Sequence, residues 1–212
     1  MTNKEHYTRL TTEKRLKLIE ESLNSIYSKE DSANAYEKTL ALINKYKQKV
    51  ESAPYYLTQK DIILITYGDQ VFHSGETALS TLSSFLNEYV RDIINTVHIL
   101  PFYPHSSDDG FSIVNYKGVC PLKGSWKDIE KIRKNHRIMF DGVINHMSQL
   151  SRWFNCYLAD IPEFEDFFIN IDPSTDLSNV VRPRTSPLLT EFVDDDGKIR
   201  NIWTTFSSDQ VD

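Results

Sequence analysis

Hydrophobic positions recur at helical spacing through the first fifty residues of the chain. They form two apolar stripes: Leu16, Ile19, Leu23, Ile26 and Tyr27 in the first, and Tyr36, Leu40, Ile43, Tyr46 and Val50 in the second. Lys and Glu occupy the remaining positions, which is the pattern of helices with a solvent-exposed face. We predict a helical N-terminal extension over residues 1–57, a hairpin lying on the main domain, which is capped at Thr11 or Thr12 and ended by Pro54.

Beyond this extension, short apolar runs alternate with helical stripes. The runs predict strands at 62–67, 97–100 and 138–144, and the stripes predict helices at 77–95 and 125–135, the latter capped by its first residue, a serine. Strand, helix, strand, helix, strand is typical of a parallel sheet, and continuous apolar runs predict that both faces are covered. A doubly wound sheet and a (β/α) barrel both fit.

The alternation stops after the third strand. We predict a helix at 148–160 and a hairpin at 188–206 around the turn 194–197. Residues 147–206 therefore form an insertion rather than a fourth strand–helix repeat, and 207–212 begin the return to the sheet without a closing element.

Polar side chains follow each predicted strand: Tyr67 and Asp69 the first, Asp108 and Asp109 the second, and Asn145 and His146 the third. In both candidate folds the chemistry lies beyond the carboxyl ends of the strands. On a strand, Asp141 and Asn145 would face one side and His146 the other. These three residues are either polar groups that satisfy one another in a core or the mouth of an active site.

Two further segments each have two possible interpretations, one functional and one structural. Asp108 and Asp109, with Phe111 close by, could bind a sugar through carboxylates and a stacking ring, or form a solvated Asp-Gly turn. Arg182 and Arg184 flank a proline, and they could clamp a phosphate or carboxylate, or pair with acids such as those at 163–166.

The composition of the chain limits the kinds of molecule that we expect it to bind. The net charge is −6 without a basic patch, which argues against nucleic acid but not against a small anion. Two cysteines and six histidines show no ligand spacing, and no GxGxxG or phosphate-loop motif follows the first strand, so no metal or cofactor is expected. The N-terminus lacks a signal core and no apolar run approaches about 18 residues, which predicts a cytoplasmic protein without a membrane span.

Residues 61–212 resemble the α-amylase superfamily of (β/α)8-barrel enzymes, and within it the sucrose phosphorylase branch. The segment 141–146 matches the superfamily signature Asp-x-x-x-Asn-His at the end of the third barrel strand. More specific matches are Leu-Ile-Thr-Tyr at 64–67, Ser-Asp-Asp-Gly-Phe at 107–111, Arg-Pro-Arg at 182–184 and Trp-Thr-Thr-Phe through Gln-Val-Asp at 203–212. The likeness is greatest to members that cleave glucosylglycerate.

The resemblance implies a partial (β/α)8 barrel whose first three strands lie in 58–146, with 147–206 as a domain B-like insertion. It implies an enzyme that cleaves an α-glucoside with inorganic phosphate and releases α-glucose 1-phosphate with retention, through two carboxyl groups about 5–5.5 Å apart. The implied binding residues are Asp108, Phe111, His146 and Gln210 for the glucosyl unit, Phe206 for the acceptor side, and Arg184 with Arg182 for phosphate or the acceptor carboxylate.

The chain also departs from the family pattern. A Tyr often precedes Arg-Pro-Arg in sucrose-cleaving members, whereas Val181 stands there in this chain. The family's nucleophile and acid/base lie on the fourth and fifth strands, so we expect both beyond Asp212 and expect residues 1–212 to be inactive alone. Sucrose phosphorolysis, α-glucoside hydrolysis and a non-catalytic sugar-binding remnant are the alternatives, and the full-length protein could form a homodimer.

Overall fold

The computed structural model describes residues 10–49, 57–181 and 184–212, in two compact units, Met1–Tyr56 and Leu57–Asp212. Helices α1 (Thr12–Ile26) and α2 (Lys29–Tyr46) make up the described part of the first unit. The predicted helix end at Pro54 lies outside the described residues.

Both helices of the first unit begin at a hydroxyl cap. The Thr11 hydroxyl accepts a hydrogen bond of 3.3 Å from the Lys14 backbone N–H, which confirms the predicted cap, and Ser28 caps α2 in the same way. The predicted apolar stripes are half-covered at most: Leu16 and Leu23 are half-buried, and Ile26 is 70% exposed.

A three-stranded parallel sheet of order β1-β2-β3 organises the second unit. Its elements are β1 (Ile63–Thr66), α3 (Ala78–Tyr89), β2 (Thr96–Ile99), a 3-10 turn at Asp108–Gly110, α4 (Trp126–Arg133) and β3 (Arg137–Phe140). The Ser125 hydroxyl and backbone N–H both bond to Asp128, which forms a capping box and confirms the predicted start of α4. Helix α3 is shorter than predicted and ends at Tyr89, because the φ of −133° at the following Val90 leaves the helical region.

Only one face of this sheet is covered by helices. Val97 and Ile99 pack against α3 and α4 in the main core, whereas Ile65 on the opposite face is 62% exposed and Met139 42%. The prediction that both faces are covered is therefore wrong for the described residues. In a (β/α)8 barrel this inner face is covered by the other strands as they close around it.

Two predicted boundaries after the sheet are also wrong. Strand β3 ends at Phe140, so Asp141 and Asn145 lie beyond the strand and do not follow its alternation. Met147–Ser148 then form the short strand β4, and α5 (Arg152–Leu158) begins later than predicted because the Ser151 hydroxyl caps it by accepting from Phe154 N–H at 3.1 Å.

The rest of the insertion folds around a second core. The predicted hairpin is confirmed as β5 (Leu189–Val193) and β6 (Ile199–Trp203), antiparallel around the turn at Gly197, whose φ is +82°. The final segment pairs within the insertion: β7 (Gln210–Val211) is antiparallel to β4. The core between these elements consists of Met147, Phe154, Tyr157, Phe168, Ile202 and Val211.

Among the helices of the described residues, none is long and apolar enough to cross a membrane.

A buried histidine is expected to lower the stability of the second unit in acid. His136 is 3% exposed, and neither of its ring nitrogens has a hydrogen-bond partner within the part of the chain that the structure describes. Burial lowers the pKa of His136 below its ordinary value of 6.5. The unfolded chain therefore binds more protons than the folded one as the pH falls below 6.5, and the free energy of unfolding decreases.

We expect the His136→Leu variant to lose much of this acid sensitivity, because it removes the proton-binding difference. Urea unfolding between pH 5 and 8 measures it, as a flatter dependence of the unfolding free energy on pH. The exposed His73 supplies the control, since His73→Gln should leave the pH dependence unchanged. An unaltered slope in His136→Leu would show that other groups cause the acid loss.

Candidate functional site

The loop that follows β2 has an unusual backbone. Asp108, Asp109 and Gly110 all have positive φ, at 55°, 50° and 114°. This left-handed region is tolerated by glycine and, among other residues, best by Asn and Asp. A Cβ on Gly110 would lie 2.4 Å from the Pro101 carbonyl oxygen, so the loop is pressed onto the end of β2.

This close approach predicts an effect at Gly110 that positive φ alone does not give. We expect Gly110→Ala to lower the melting temperature more than Gly75→Ala, because Gly75 also has a positive φ (88°) but nothing within 4 Å of its Cβ position. Calorimetry on both variants makes the comparison. Equal losses would mean that the loop shifts freely away from Pro101.

Asp108 meets a residue from the far end of the chain. The Gln210 side-chain amide donates to the Asp108 carboxylate at 2.9 Å. Gln210 is 1% exposed, whereas Asp108 is exposed, so the buried amide fixes one carboxylate oxygen at the edge of an open surface. The two residues that the sequence predicted to bind one sugar are thus in direct contact.

A network of serine hydroxyls supports this contact. Ser106 bonds to Ser112 at 2.9 Å and to Ser148, the residue of β4 that pairs with Gln210, at 2.7 Å. The Ser107 hydroxyl donates to the Asp209 carboxylate. The sequence analysis predicted no role for the hydroxyls of these serines. The only local sign of such a network was a pair of serines directly before Asp108 and another directly before Asp209.

His146 lies just before β4, against the ring of Phe206, which also has a guanidinium near it. Its ring centroid is 4.9 Å from that of Phe206, and the Arg184 guanidinium carbon lies 6.0 Å from the Phe206 centroid. Both His146 ring nitrogens are buried without a hydrogen-bond partner among the described residues. Two buried nitrogens without a partner among the described residues are available to a ligand or to water.

A cavity of about 300 Å³ opens beside His146 and also includes Asn145 and Asp212 in its lining. Burial raises the pKa of the Asp212 carboxyl, although hydrogen bonds from Thr205 and the nearby His146 oppose the shift. Aromatic rings supply much of the remaining wall: Tyr116, Trp153, Phe167 and Phe168.

Asp109 and Asp141 lie in different surroundings from Asp108. Asp109 lines a cavity of about 310 Å³ that it shares with Asp69 and the buried Lys123, whose ammonium lies 3.4 Å from the Asp69 carboxylate. Asp141 pairs with His98 at 3.1 Å. Among the described residues, the side-chain partner of Asp141 is therefore His98 on β2, and not Asn145 or His146.

The structure therefore gathers most of the predicted site residues into two linked groups. Asp108 and Gln210 form one group, while His146, Phe206 and Arg184 form the other; the β4–β7 pairing joins them. Phe111 is half-buried, and its backbone N–H donates to the Asp108 carbonyl. Arg182 lies outside the described residues.

Within the described ranges, no group of three or more His, Cys, Asp and Glu side chains could hold a metal ion.

The three parallel strands, with polar side chains beyond their carboxyl ends, correspond to part of the (β/α)8 barrel of a class of glycoside-processing enzymes. The family model of the alpha-amylase catalytic domain matches residues 79–205, and the chain belongs to the alpha-amylase family. Among its relatives, a glucosylglycerate phosphorylase from Spirochaeta thermophila is 44% identical over 201 residues, which cover 92% of this chain and 34% of that protein. Another, from Allomeiothermus silvanus, is 51% identical over 155 residues, covering 73% and 28%.

A solved structure gives the same fold. The crystal structure of sucrose 6F-phosphate phosphorylase from Thermoanaerobacter thermosaccharolyticum matches with a TM-score of 0.64 and 31% identity, over 74% of this chain and 34% of that one. The (β/α)8-barrel prediction is thereby confirmed. The chain spans about a third of the length of these relatives, with shares of 34%, 28% and 34%.

Proposed function

We propose that this chain forms the glucosyl-binding side of a retaining α-glucoside phosphorylase that acts on glucosylglycerate. The contact between Asp108 and Gln210 carries the proposal, together with the His146 ring, whose two nitrogens have no hydrogen-bond partner among the described residues. It combines a carboxylate that accepts from sugar hydroxyls with an imidazole that can donate to them, and both lie at the carboxyl end of barrel strands.

In this proposal each residue contacts a different part of the glucosyl unit. The Asp108 carboxylate, held by Gln210, accepts hydrogen bonds from ring hydroxyls, and such bonds to a charged acceptor are stronger than neutral ones. His146 donates near O6, and Phe111 provides an apolar wall. Phe206 closes the acceptor side.

The bond-breaking step needs two carboxyl groups that these residues do not provide. A carboxylate attacks the anomeric carbon while an acid protonates the leaving oxygen, and phosphate then displaces the carboxylate, giving net retention. Under the proposal, residues 1–212 bind and orient the glucosyl unit, and both reacting carboxyl groups come from sequence outside them.

Glucosylglycerate is favoured over sucrose as substrate by the relatives. The two glucosylglycerate phosphorylases are 44% and 51% identical to this chain, against 29% and 32% for two sucrose phosphorylases. Val181, where sucrose-cleaving members often have Tyr, is 94% exposed in this structure and offers no ring to an acceptor.

The direct test uses the product of the complete reading frame. Incubated with inorganic phosphate, it should release α-glucose 1-phosphate from glucosylglycerate with a kcat/KM at least about tenfold above that for sucrose, the equivalent of 1.4 kcal/mol of transition-state binding. Sucrose turnover that is equal or faster would reject the substrate assignment. Glucose release without a phosphate requirement would identify a hydrolase.

Arg184 provides a separate prediction for the anion. Its guanidinium carbon lies 6.0 Å from the centre of the Phe206 ring, which we place on the acceptor side, so Arg184→Ala should raise the KM for phosphate or for the glycerate-bearing substrate about tenfold. Arg184→Lys keeps the charge without the planar fork and should recover only part of the loss. Initial rates over both substrate concentrations measure the two KM values, and unchanged values would remove Arg184 from the anion site.

A cytoplasmic location is part of the proposal. It is supported by Cys120 and Cys156, both free thiols, as is usual in a reducing compartment. Inorganic phosphate is also an intracellular co-substrate.

A further inference from the structure

Asp209 connects two segments that are far apart in the chain. One carboxylate oxygen accepts from the Ser107 hydroxyl, which lies 102 residues away, and the other accepts from the Ser207 hydroxyl at 2.6 Å. The Asp209 backbone carbonyl also accepts from Gln149 N–H at 2.9 Å. Both carboxylate oxygens are thus engaged, and one of them holds the residue that directly precedes Asp108.

Asp209 stays ionised in this position. Burial opposes the charged form, but the hydrogen bonds from Ser107 and Ser207 prevail and hold the pKa of Asp209 below its ordinary value. At neutral pH the carboxylate is therefore an acceptor for both hydroxyls, and hydrogen bonds to a charged acceptor are the stronger kind.

The backbone preferences of its own residues do not explain the conformation of the loop that Asp209 contacts. Asp108 and Asp109 both adopt the left-handed backbone region, which L-residues rarely occupy and which persists only where surrounding contacts impose it. Two contacts reach the loop from 207–210: the Ser107 hydroxyl on Asp209 and the Gln210 amide on Asp108. The Gln210 amide touches the Asp108 carboxylate itself, whereas Asp209 restrains the backbone immediately before it.

We propose that Asp209 is a positioning residue, which acts through Ser107 to hold Asp108 in the backbone conformation that aims its carboxylate at Gln210 and the glucosyl unit. The inference rests on the proposed function, because only there does the aim of Asp108 matter for a reaction. The 207–210 segment then has two roles: it pairs with β4, and it positions Asp108.

A thermodynamic cycle on the product of the complete reading frame tests this directly. Asp209→Asn and Ser107→Ala should each lower kcat/KM for glucosylglycerate about tenfold or more, since each removes a charge-assisted hydrogen bond. The double variant should be no worse than the poorer single variant by more than about twofold, because both changes break one link. Ser107→Thr keeps the hydroxyl and should retain most of the activity.

The matched control is Asp172→Asn. Asp172 also accepts from a serine hydroxyl, Ser174 at 2.6 Å, but it is exposed and outside the site, so its loss should leave kcat/KM unchanged. Single variants within about twofold of wild type, or losses that multiply in the double variant, would overturn the positioning role.

Hydrogen exchange separates this inference from the proposed function. The Phe111 N–H donates to the Asp108 carbonyl and the Ser106 N–H to the Ser112 carbonyl, so both amides report on the loop. In Asp209→Asn both should exchange about tenfold faster while the amides of α4 stay unchanged. Unchanged exchange would overturn the inference even if the enzyme is a phosphorylase. A wild-type protein that releases no glucose 1-phosphate would reject the function and leave the exchange result standing.

Discussion

The Asp108→Asn variant is expected to lose about 100-fold in kcat/KM for the glucoside while keeping its fold. Hydrogen bonds to a charged acceptor contribute about 1.5–3 kcal/mol each, and replacing the carboxylate weakens those to sugar hydroxyls and turns an amide toward the Gln210 amide. Asn tolerates the left-handed backbone at this position, so the loss should not come from strain. Steady-state phosphorolysis rates and the melting temperature of the variant measure the two effects separately.

Asp109→Asn is the matched control for this prediction. Asp109 has nearly the same backbone conformation as Asp108, with φ of 50° against 55°, but it lines a different cavity beside Lys123. Its replacement should change kcat/KM by less than about fivefold, equivalent to roughly 1 kcal/mol. Equal losses at the two positions would indicate that the loop as a whole, and not the Asp108 carboxylate, supports activity.

Arg200→Ala is expected to lower the melting temperature of the second unit by about 6–12 °C, because removing one partner of a buried ion pair leaves an uncompensated charge. The Arg200 guanidinium bonds to Asp194 at 3.0 Å and to Asp160 at 2.5 Å, and it lies 5.0 Å from the centre of the Tyr157 ring. These contacts tie β6 to the hairpin turn and to the end of α5.

An exposed ion pair of similar chemistry provides the comparison. Arg133 lies 3.6 Å from Glu130 on α4, but both side chains are exposed, so Arg133→Ala should shift the melting temperature by less than about 3 °C. Thermal unfolding followed by circular dichroism reports both values. Shifts of equal size would show that the Arg200 network contributes no more than a surface pair.

Much of the fold could be predicted from local patterns, because caps, helical spacing and turns depend on neighbouring residues. Thr11, Ser125 and the turn at 194–197 were each predicted from a few residues, and the structure confirms them. The parallel order of the three strands followed from their alternation with helices.

The errors lie where distant residues decide the local structure. Strand β4 has two residues, and it exists because it pairs with Gln210–Val211 more than sixty residues later. A two-residue segment is too short to show a periodic pattern that would predict this pairing. The helix that we predicted from Ser148 therefore began too early. In the same way, the apolar run that predicted β3 is longer than the strand that pairs in the sheet.

The candidate site was predicted by motif resemblance, and its supports were not. Asp108, His146 and Gln210 belong to recognisable segments, whereas the bond between Ser107 and Asp209 joins residues 102 positions apart and leaves no local pattern. What the structure adds is therefore the means by which the predicted residues are held together.

The most direct test of this account is a crystal structure of the product of the complete reading frame with α-glucose 1-phosphate bound. We expect the Asp108 carboxylate and a ring nitrogen of His146 to lie within about 3 Å of hydroxyl oxygens of the same glucosyl unit. A sugar bound elsewhere, for instance in the cavity lined by Asn115, Lys117 and Arg152, with His146 making no contact to it, would contradict the account.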